Sequence, residues 1–365
     1  MLAEQQFQNG PENSPKKRVQ SLPRNLWRAS VKLFKNLAWI KSASNEKCTA
    51  KIFSIFLAGL LFASSQPSLA TELKLNHVQM KGTHNSYHVA PPFLPAWLPF
   101  TSALRYTHAS LSDQLSLQGV RQFEFDVQLC SGPELCVFHI RFMDSFSTCP
   151  TLKECLTELK HWSDFNPHHH ALFVFLEPKN LSLGLDFVRL ENEITAVWPR
   201  HRILLPDEIQ TGFSSLRQAI RSKGWPTVAD SRGKAVFVLL DEGDMREYYS
   251  RGTESLAGRI MFTTSSPDRL DAAIFKIDDP RGREDEIKGL VRKGYMVRTR
   301  ADADSVEPLL NDKSRLRAAM KSGAHMISTD YPAKTPNLSY FVELDARRAS
   351  RCNPVIAPAD CVTVQ

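Results

Sequence analysis

Apolar runs of strand length recur along the chain from residue 75 onward, and amphipathic stretches with helical spacing separate several of them. We predict strands at 75–81, 121–127, 135–139, 171–176, 234–240, 274–277 (with 259–263 as the alternative), 295–300 and 325–328. The predicted helices include 151–162, 185–197, 284–293 and 313–322. Eight strands that alternate with helices favour a single (β/α)8 TIM barrel, regular or irregular, over two domains.

The second predicted strand has an unusual distribution of charge. In the run Phe-Glu-Phe-Asp-Val at 123–127, apolar side chains alternate with Glu124 and Asp126. Successive side chains of a strand point to opposite faces, and in a barrel the apolar face must meet the helices. The two carboxylates are therefore expected inside the barrel, at the carboxyl ends of the strands, where buried acids are paired or bound to a metal and where active sites form.

The formal net charge of +7 is confined to the N-terminal region. Residues 1–70 contain ten Lys or Arg residues and three Glu residues, whereas the rest of the chain has 36 basic and 36 acidic residues. Because the chain after residue 70 is balanced, nucleic acid is excluded as a partner on grounds of charge.

The N-terminal region has the layout of an export signal. A basic polar stretch precedes an apolar run at 52–63, and the small-x-small triplet Ser68-Leu69-Ala70 follows. The apolar run of about 12 residues is shorter than the about 20 that span a bilayer. We predict cleavage after Ala70 and a secreted or periplasmic protein; an uncleaved anchor and a misassigned start codon are the alternatives. Residues 1–70 then form the leader, 71–340 the barrel domain, and 341–365 a C-terminal tail.

Export predicts oxidised cysteines, and the cysteines occur in close pairs. Cys48 lies in the leader, and the other six cysteines allow fifteen pairings. Local bridges are the simplest arrangement: Cys130–Cys136, Cys149–Cys155 and Cys352–Cys361. A zinc site is the alternative, but none of the pairs has the CxxC spacing of such sites.

Six polar residues at predicted strand ends have the chemistry of a phosphodiesterase. They are His84, Asn85, Glu124, Asp126, His139 and Glu177. Carboxylate and amide oxygens are the hard donors that Ca2+ prefers, and a bound cation makes a hydroxyl easier to deprotonate. Two imidazoles titrate near neutral pH and supply acid–base groups. The set predicts attack of a substrate hydroxyl on a phosphodiester, with a cyclic phosphate formed first and opened by water later.

Six short motifs follow one another in a characteristic order along residues 75–332. They are Gly-Thr-His-Asn-Ser-Tyr at 82–87, Gly-Val-Arg-Gln-Phe-Glu-Phe-Asp at 119–126, His139, Glu-Pro-Lys at 177–179, Val-Arg-Thr-Arg-Ala-Asp at 297–302 and Ser-Thr-Asp-Tyr-Pro at 328–332. Their order and spacing resemble the calcium-dependent phosphoinositide-specific phospholipase C family, in its compact bacterial secreted form.

This resemblance implies a role for each residue of the set. His84 is expected to stabilise charge on the phosphoryl oxygens, and His139 to protonate the departing diacylglycerol oxygen. The residues that match calcium ligands are Asn85, Glu124, Asp126 and Glu177. Glu124 is also the candidate to take the proton from the inositol 2-hydroxyl. The implied products are diacylglycerol and an inositol phosphate.

Other polar residues near the predicted site have weaker assignments. Lys179, Arg298 and Arg300 are candidate phosphate partners, although structural ion pairs would give the same pattern. His88 and His108 are expected to be structural. The triplet His-His-His at 168–170 precedes a strand at the opposite rim, so we predict an exposed loop there rather than a metal site.

Two other functions and one surface complete the predictions. A glycerophosphodiester phosphodiesterase would share the barrel and a Glu-x-Asp pair, and the Glu-x-Lys element at 177–179 also fits it. Such enzymes usually begin with His-Arg-Gly, where this chain has His84-Asn85-Ser86. A non-catalytic lipid-binding barrel would need damaged motifs.

Prolines and aromatics at 91–100 predict either a wedge that touches a bilayer or a loop folded onto the barrel. We expect a monomer with a phospholipid or similar phosphodiester substrate.

Overall fold

Residues 72–93, 99–336, 338–345 and 348–362 are described by a computed structural model of the chain, which for residues 99 and 100 describes the backbone only. The predicted leader, its cleavage site and Cys48 lie outside these residues, as does the centre of the predicted membrane-contacting segment, residues 94–98. The division of the chain at residues 70 and 340 stays a prediction. Within the described ranges, no helix has the length and apolar character needed to cross a bilayer.

A near-closed barrel of eight parallel strands forms the centre of the structure. The described residues form ten strands, eight of them in the barrel: β1 (Val78–Thr83), β2 (Val120–Leu129), β3 (Leu135–Val137), β4 (Leu172–Pro178), β5 (Ala235–Leu239), β6 (Met261–Thr263), β7 (Ile274–Lys276), β8 (Met296–Arg300), β9 (Met326–Thr329) and β10 (Ser350–Cys352). The barrel order is β6-β5-β4-β2-β1-β9-β8-β7, while β3 and β10 pair antiparallel with β2 and β1. The predicted (β/α)8 barrel is confirmed, in an irregular form.

The irregularity lies between β6 and β7. The connection at 264–273 contains no helix. Thr264 and Ile274 form a parallel bridge, and the amide of Ser265 donates to the carbonyl oxygen of Ile274 at 3.1 Å. These contacts complete the barrel at a point where no extended ladder joins the two strands.

The strand count predicted from the sequence needs a correction. The run at 135–139 is not a barrel strand, because β3 turns back along β2 as a hairpin with Cys136 opposite Gln128. Both alternatives for the sixth strand are used instead, since 259–263 contains β6 and 274–277 contains β7. The first strand also begins later than predicted, because Leu75–His77 forms a 3-10 turn. Runs of three apolar residues are too short to distinguish a hairpin from a barrel strand.

Helices surround the barrel. They are α1 (Leu111–Ser116), α2 (Leu152–Phe165), α3 (Leu185–Val197), α4 (Pro206–Gln210), α5 (Leu216–Ser222), α6 (Asp244–Tyr249), α7 (Glu284–Arg292), α8 (Val306–Leu310) and α9 (Ser314–Ser322), with 3-10 turns at Pro99–Leu104 and Arg200–Arg202. The four predicted helices are confirmed as α2, α3, α7 and α9. Each buries an apolar stripe, which is the pattern that predicted it.

Helix α2 illustrates how local sequence sets these boundaries. The amide of Glu154 donates to the Thr151 hydroxyl at 3.2 Å, and the amide of Thr151 donates to the Glu154 carboxylate at 3.0 Å. This reciprocal capping box satisfies amides that have no partner within the helix. Leu152, Leu156 and Leu159 are fully buried at helical spacing, so the helix packs one face on the barrel.

Three disulfides join the cysteine pairs predicted from the sequence. They are Cys130–Cys136, Cys149–Cys155 and Cys352–Cys361. The first closes the hairpin of β2 and β3, and the second joins the loop before α2 to the first turn of that helix. The segment between these two bridges, residues 137–148, is therefore anchored at both ends.

The prediction of an exposed loop at 168–170 is wrong for two of its three histidines. His169 and His170 are buried where the end of α2 meets the start of β4. A ring nitrogen of His169 lies 2.6 Å from the Ser163 hydroxyl, and its ring packs on Trp162. Desolvation lowers the pKa of His169 to about 4 and that of His170 to about 3, so both rings are neutral at pH 7.

Candidate active site

Strands β2 and β4 carry three acids toward their carboxyl ends. Asp126 on β2 is the register partner of Glu177 on β4, and Glu124 lies two positions before Asp126 on the same face. Phe123 and Phe125 are fully buried on the opposite face of β2. Glu124 and Asp126 are only 2% and 1% exposed. The alternation seen in the sequence therefore places two ionisable groups deep inside the protein.

Asp126 is a buried carboxylate whose two oxygens accept no hydrogen bond from the described residues. Burial raises its pKa to about 7, even though the charge of Lys179 acts in the opposite direction. The Lys179 ammonium lies 3.5 Å from Asp126 and 2.6 Å from Glu177. Because a buried carboxylate without hydrogen bonds is costly, the oxygens of Asp126 mark a place that favours a cation.

Glu124 has a different partner inside the barrel. Nη2 of Arg298 lies 2.5 Å from Oε2 of Glu124, and the same guanidinium contacts Asp278. The Arg298 side chain is 1% exposed. The structure thus places this predicted phosphate partner between two carboxylates.

His84 follows β1 directly and is held by a buried acid. Its Nδ1 atom lies 2.8 Å from Asp330, and its Nε2 atom lies 3.9 Å from Glu124. The second oxygen of Asp330 contacts Arg300 at 3.0 Å. Burial opposes ionisation of Asp330, but His84 and Arg300 outweigh it and lower the pKa of Asp330 to about 2. The arrangement fixes the ring of His84 with Nε2 toward the acidic cluster.

His139 is held in the same way on the β3 side. Its Nδ1 atom lies 2.8 Å from Asp144, which has no exposed surface. Burial lowers the pKa of His139, but the hydrogen bond to Asp144 and the charge of Asp126 outweigh this effect and raise it. Since Nδ1 is occupied, Nε2 is the nitrogen that remains for proton exchange. Asp144 also hydrogen-bonds His88, at 2.9 Å.

Asn85 lies in the turn that joins β1 to the site. Its φ of 41° is in the left-handed region, which asparagine adopts more readily than most residues. The amide of Ser86 donates to the carbonyl oxygen of Glu124, and the amide of Glu124 donates to the Ser86 hydroxyl, both at 2.9 Å. These bonds tie the turn that carries Asn85 to the strand that carries Glu124.

The oxygen donors at this end of the barrel suit a hard cation. They are Asn85, Glu124, Asp126 and Glu177. In the part of the chain that the structure describes, no three His, Cys, Asp or Glu side chains converge closely enough to hold a metal ion. Glu177 is paired with Lys179, and Glu124 with Arg298. Calcium binding by this set therefore requires at least one of these ion pairs to rearrange.

Sequence reasoning missed two acids of the site. Asp144 lies in a short turn after His139, where residues 140 and 144 pair with each other, and Asp278 follows β7. Neither acid belongs to a periodic pattern. The signal available was positional: an acid within a few residues of a strand end can reach the same rim as the residues predicted there.

The sequence of the chain matches the sequence model of one family, at residues 73–131 and 128–354. The family is described as phosphoinositide phospholipase C, Ca2+-dependent. The matched residues make up more than half of the chain and include all six residues of the predicted set.

Solved structures are similar in fold. A calcium-dependent phosphoinositol-specific phospholipase C from Pseudomonas sp is 16% identical, with 78% of this chain and 96% of that chain covered and a TM-score of 0.55. A Ca2+-dependent phosphatidylinositol-specific phospholipase C from Streptomyces antibioticus is 17% identical, with coverages of 71% and 95% and a TM-score of 0.54. No curated protein matches the chain.

Proposed function

Because the chain belongs to the Ca2+-dependent phosphoinositide phospholipase C family, we propose that it cleaves phosphatidylinositol-type lipids to diacylglycerol and an inositol phosphate by way of a cyclic phosphate. Membership makes the chain an enzyme that acts on phospholipids. The cyclic intermediate and the roles of individual residues are the proposal.

In the proposed reaction the inositol 2-hydroxyl attacks the phosphorus while Glu124 accepts its proton. The bond between phosphorus and the diacylglycerol oxygen breaks, and Nε2 of His139 gives that oxygen a proton. His84 stabilises the charge on the phosphoryl oxygens through Nε2. Water then opens the cyclic phosphate. Lys179 and Arg300 are proposed to contact the phosphate, and Arg298 to compensate the charge of Glu124.

The proposed calcium ligands are Asn85, Glu124, Asp126 and Glu177. When bound, the ion would neutralise the clustered carboxylates and favour loss of the hydroxyl proton. The unsatisfied oxygens of buried Asp126 support this assignment. Lys179 bridges Asp126 and Glu177, so its displacement toward the substrate phosphate would free both acids.

One observation supports the assignment of roles more than any other. His84 and His139 each have Nδ1 on a carboxylate that is almost fully buried, and each directs Nε2 away from that carboxylate. His84 adjoins Glu124, and the charge of His139 acts on Asp126. Two oriented imidazoles beside two acids are what phosphodiester cleavage by an internal hydroxyl requires.

The test is to incubate the purified protein with phosphatidylinositol, phosphatidylcholine and glycerophosphoinositol, each with Ca2+ and with chelator, and to follow phosphorus by NMR. We expect cleavage of phosphatidylinositol alone, only with Ca2+, and a cyclic phosphate signal before the linear product. Cleavage of glycerophosphoinositol in preference to the lipid would favour the glycerophosphodiester phosphodiesterase, and no cleavage in any mixture would favour a lipid-binding barrel.

We also propose that the protein is secreted or periplasmic, monomeric, and in peripheral contact with membranes through 91–100. The three disulfides support an oxidising compartment. Phe93 is 56% exposed, and its ring lies 6.0 Å from that of Phe146, which is 41% exposed. These aromatics support a bilayer contact on this side of the molecule.

A further inference from the structure

His88 has no part in the proposed chemistry, yet it has no exposed surface and both of its ring nitrogens have partners. Nδ1 lies 2.9 Å from the backbone carbonyl oxygen of Tyr106. Nε2 lies 2.9 Å and 3.0 Å from the two carboxylate oxygens of Asp144. The ring also stacks on Tyr106, with 4.2 Å between the ring centres.

Hydrogen-bond arithmetic assigns the donors in this cluster. A backbone carbonyl can only accept, so Nδ1 of His88 must carry a proton. Asp144 accepts from His139 as well. Burial would raise the pKa of Asp144, but the hydrogen bonds from His139 and His88 outweigh it and lower the pKa below its usual value. Asp144 is therefore an acceptor that both His139 and His88 face, the latter with Nε2.

Among the described residues, the backbone of Asp144 also has partners within its turn. Its amide donates to the carbonyl oxygen of Ile140 at 2.8 Å, and the amide of Ile140 donates back at 2.9 Å. These bonds fix the backbone of the turn, whereas the carboxylate contacts the rings of His139 and His88. His88 lies on the β1 side of the site, so its hydrogen bonds connect the turn that carries His139 to the barrel wall.

We infer that His88 is a positioning residue for the general acid: it orients the Asp144 carboxylate, and the carboxylate in turn holds His139 with Nε2 toward the departing oxygen. This inference rests on the proposed role of His139. The described partners of the His88 ring are Tyr106 and Asp144 and none of the proposed calcium ligands, so its loss should lower kcat and leave KM nearly unchanged.

The test compares two leaving groups. With the lipid substrate, diacylglycerol leaves as an alkoxide that needs a proton. With an inositol phosphate ester of p-nitrophenol, the leaving group is a phenolate that needs none. His139→Ala calibrates the assay, and we expect it to slow the lipid by about 100-fold or more and the nitrophenyl ester by much less.

Two amide variants distinguish the contribution of the His88 bond to Tyr106 from that of the bond to Asp144. His88→Asn can reach the Tyr106 carbonyl but not Asp144, while His88→Gln can place its amide near the former Nε2 atom and restore the bond to Asp144. We expect His88→Asn to lower kcat on the lipid by about tenfold or more with little change on the nitrophenyl ester, and His88→Gln to recover most of the loss.

His325→Asn is the matched control. His325 is also fully buried with both nitrogens hydrogen-bonded, to Asn76 and Val297, but it precedes β9 at the other end of the barrel. We expect it to lower the melting temperature without changing the ratio of the two rates.

Three results would overturn the inference. Equal slowing of both esters in His88→Asn would make His88 a residue of the fold alone. If His88→Asn does not fold, Asp144→Asn takes its place, and equal slowing there has the same meaning. If His139→Ala itself slows both esters equally, the proposed role of His139 is wrong and the inference falls with it.

Discussion

Nδ1 of His84 lies 2.8 Å from Asp330, so the residue after β1 is fixed by the residue after β9. These two strands are neighbours in the barrel and pair in parallel from Met80 to Thr83. The first proposed catalytic group is therefore set by the register of two strands and not by a flexible loop. His139, in contrast, is positioned by a turn between two disulfides.

Replacing either imidazole should separate activity from stability. We expect His84→Ala and His139→Ala each to lower kcat by about 100-fold or more, because each removes a positioned proton or charge from the transition state. Each ring also pairs with a buried carboxylate, so the melting temperature should fall while the fold survives. Near-normal turnover in either variant, measured by release of inositol phosphate, would remove that histidine from the mechanism.

Calcium binding should release protons in a pH-dependent way. Burial raises the pKa of Asp126 to about 7, so this carboxyl is mostly protonated at pH 6 and mostly ionised at pH 8 in the calcium-free protein. A cation binds the ionised form, so we expect close to one proton released per Ca2+ at pH 6 and few at pH 8. Calorimetry in buffers of different ionisation enthalpy measures this number.

The matched control for that experiment is Asp126→Asn, which should lose the proton release. Ca2+ should also raise the melting temperature of the unaltered protein, chelator should abolish turnover, and Mg2+ should substitute poorly because its small octahedral shell resists a loose mixed cage. Calorimetry without any heat of Ca2+ binding, together with turnover that survives chelation, would show that the acids do not form a metal site.

Acid should destabilise the fold through its buried histidines. Desolvation lowers the pKa of His170 and His325 to about 3, and that of His108 and His169 to about 4, from an ordinary value of 6.5. Below pH 6.5 the unfolded chain binds these protons and the folded chain does not. The free energy of unfolding should therefore fall as the pH is lowered from 6.5 to 4, by up to about 1.4 kcal/mol per pH unit for each ring.

The variant His170→Gln tests this account, because among the described residues Nε2 of His170 has no hydrogen-bond partner and its replacement breaks no bond at that atom. Urea unfolding at several pH values gives the slope of stability against pH. The slope should be shallower in the variant by about one proton. An unchanged slope would mean that His170 is protonated inside the fold.

Gly294 should resist substitution. Its φ is 92°, and a Cβ atom added there would lie 2.9 Å from the backbone carbonyl oxygen of Ile220, which cannot move aside as a side chain can. Gly282 is the control, since its φ is 72° but a Cβ atom would meet no atom within 4 Å. Both Gly→Ala changes carry the cost of a left-handed backbone, about 1 kcal/mol, and Gly294→Ala should cost clearly more in urea unfolding. Equal losses would contradict the contact.

The barrel and the residues of the site could be predicted because they lie on repeating or ordered patterns. The alternation at 123–127 indicated which face of β2 is inside, and the short motifs gave the order of the strands that carry the site. The spacing of the cysteines was enough to predict the three disulfides, because each bridge closes a short loop.

The features that could not be predicted depend on contacts between distant parts of the chain. β3 and β6 contain only three residues each, so their apolar character fits a hairpin and a barrel strand equally well. The ion pair of Arg298 with Glu124 joins residues 174 positions apart, so no local sequence pattern predicts it. The burial of His170 likewise depends on how the end of α2 packs at the start of β4, and the local sequence around His170 gives no information about that packing.

The narrow junction of β6 and β7 gives the barrel two mechanically different halves. β2 and β4 are in register over six residue pairs, whereas β6 and β7 meet at the bridge of Thr264 and Ile274. In the strand order, this junction is diametrically opposite the contact of β1 with β2. Local opening costs least where the fewest bonds must break, so amide hydrogens along the junction should exchange first. We therefore expect local opening between β6 and β7, while the strands that carry the proposed catalytic and calcium-binding groups keep their spacing.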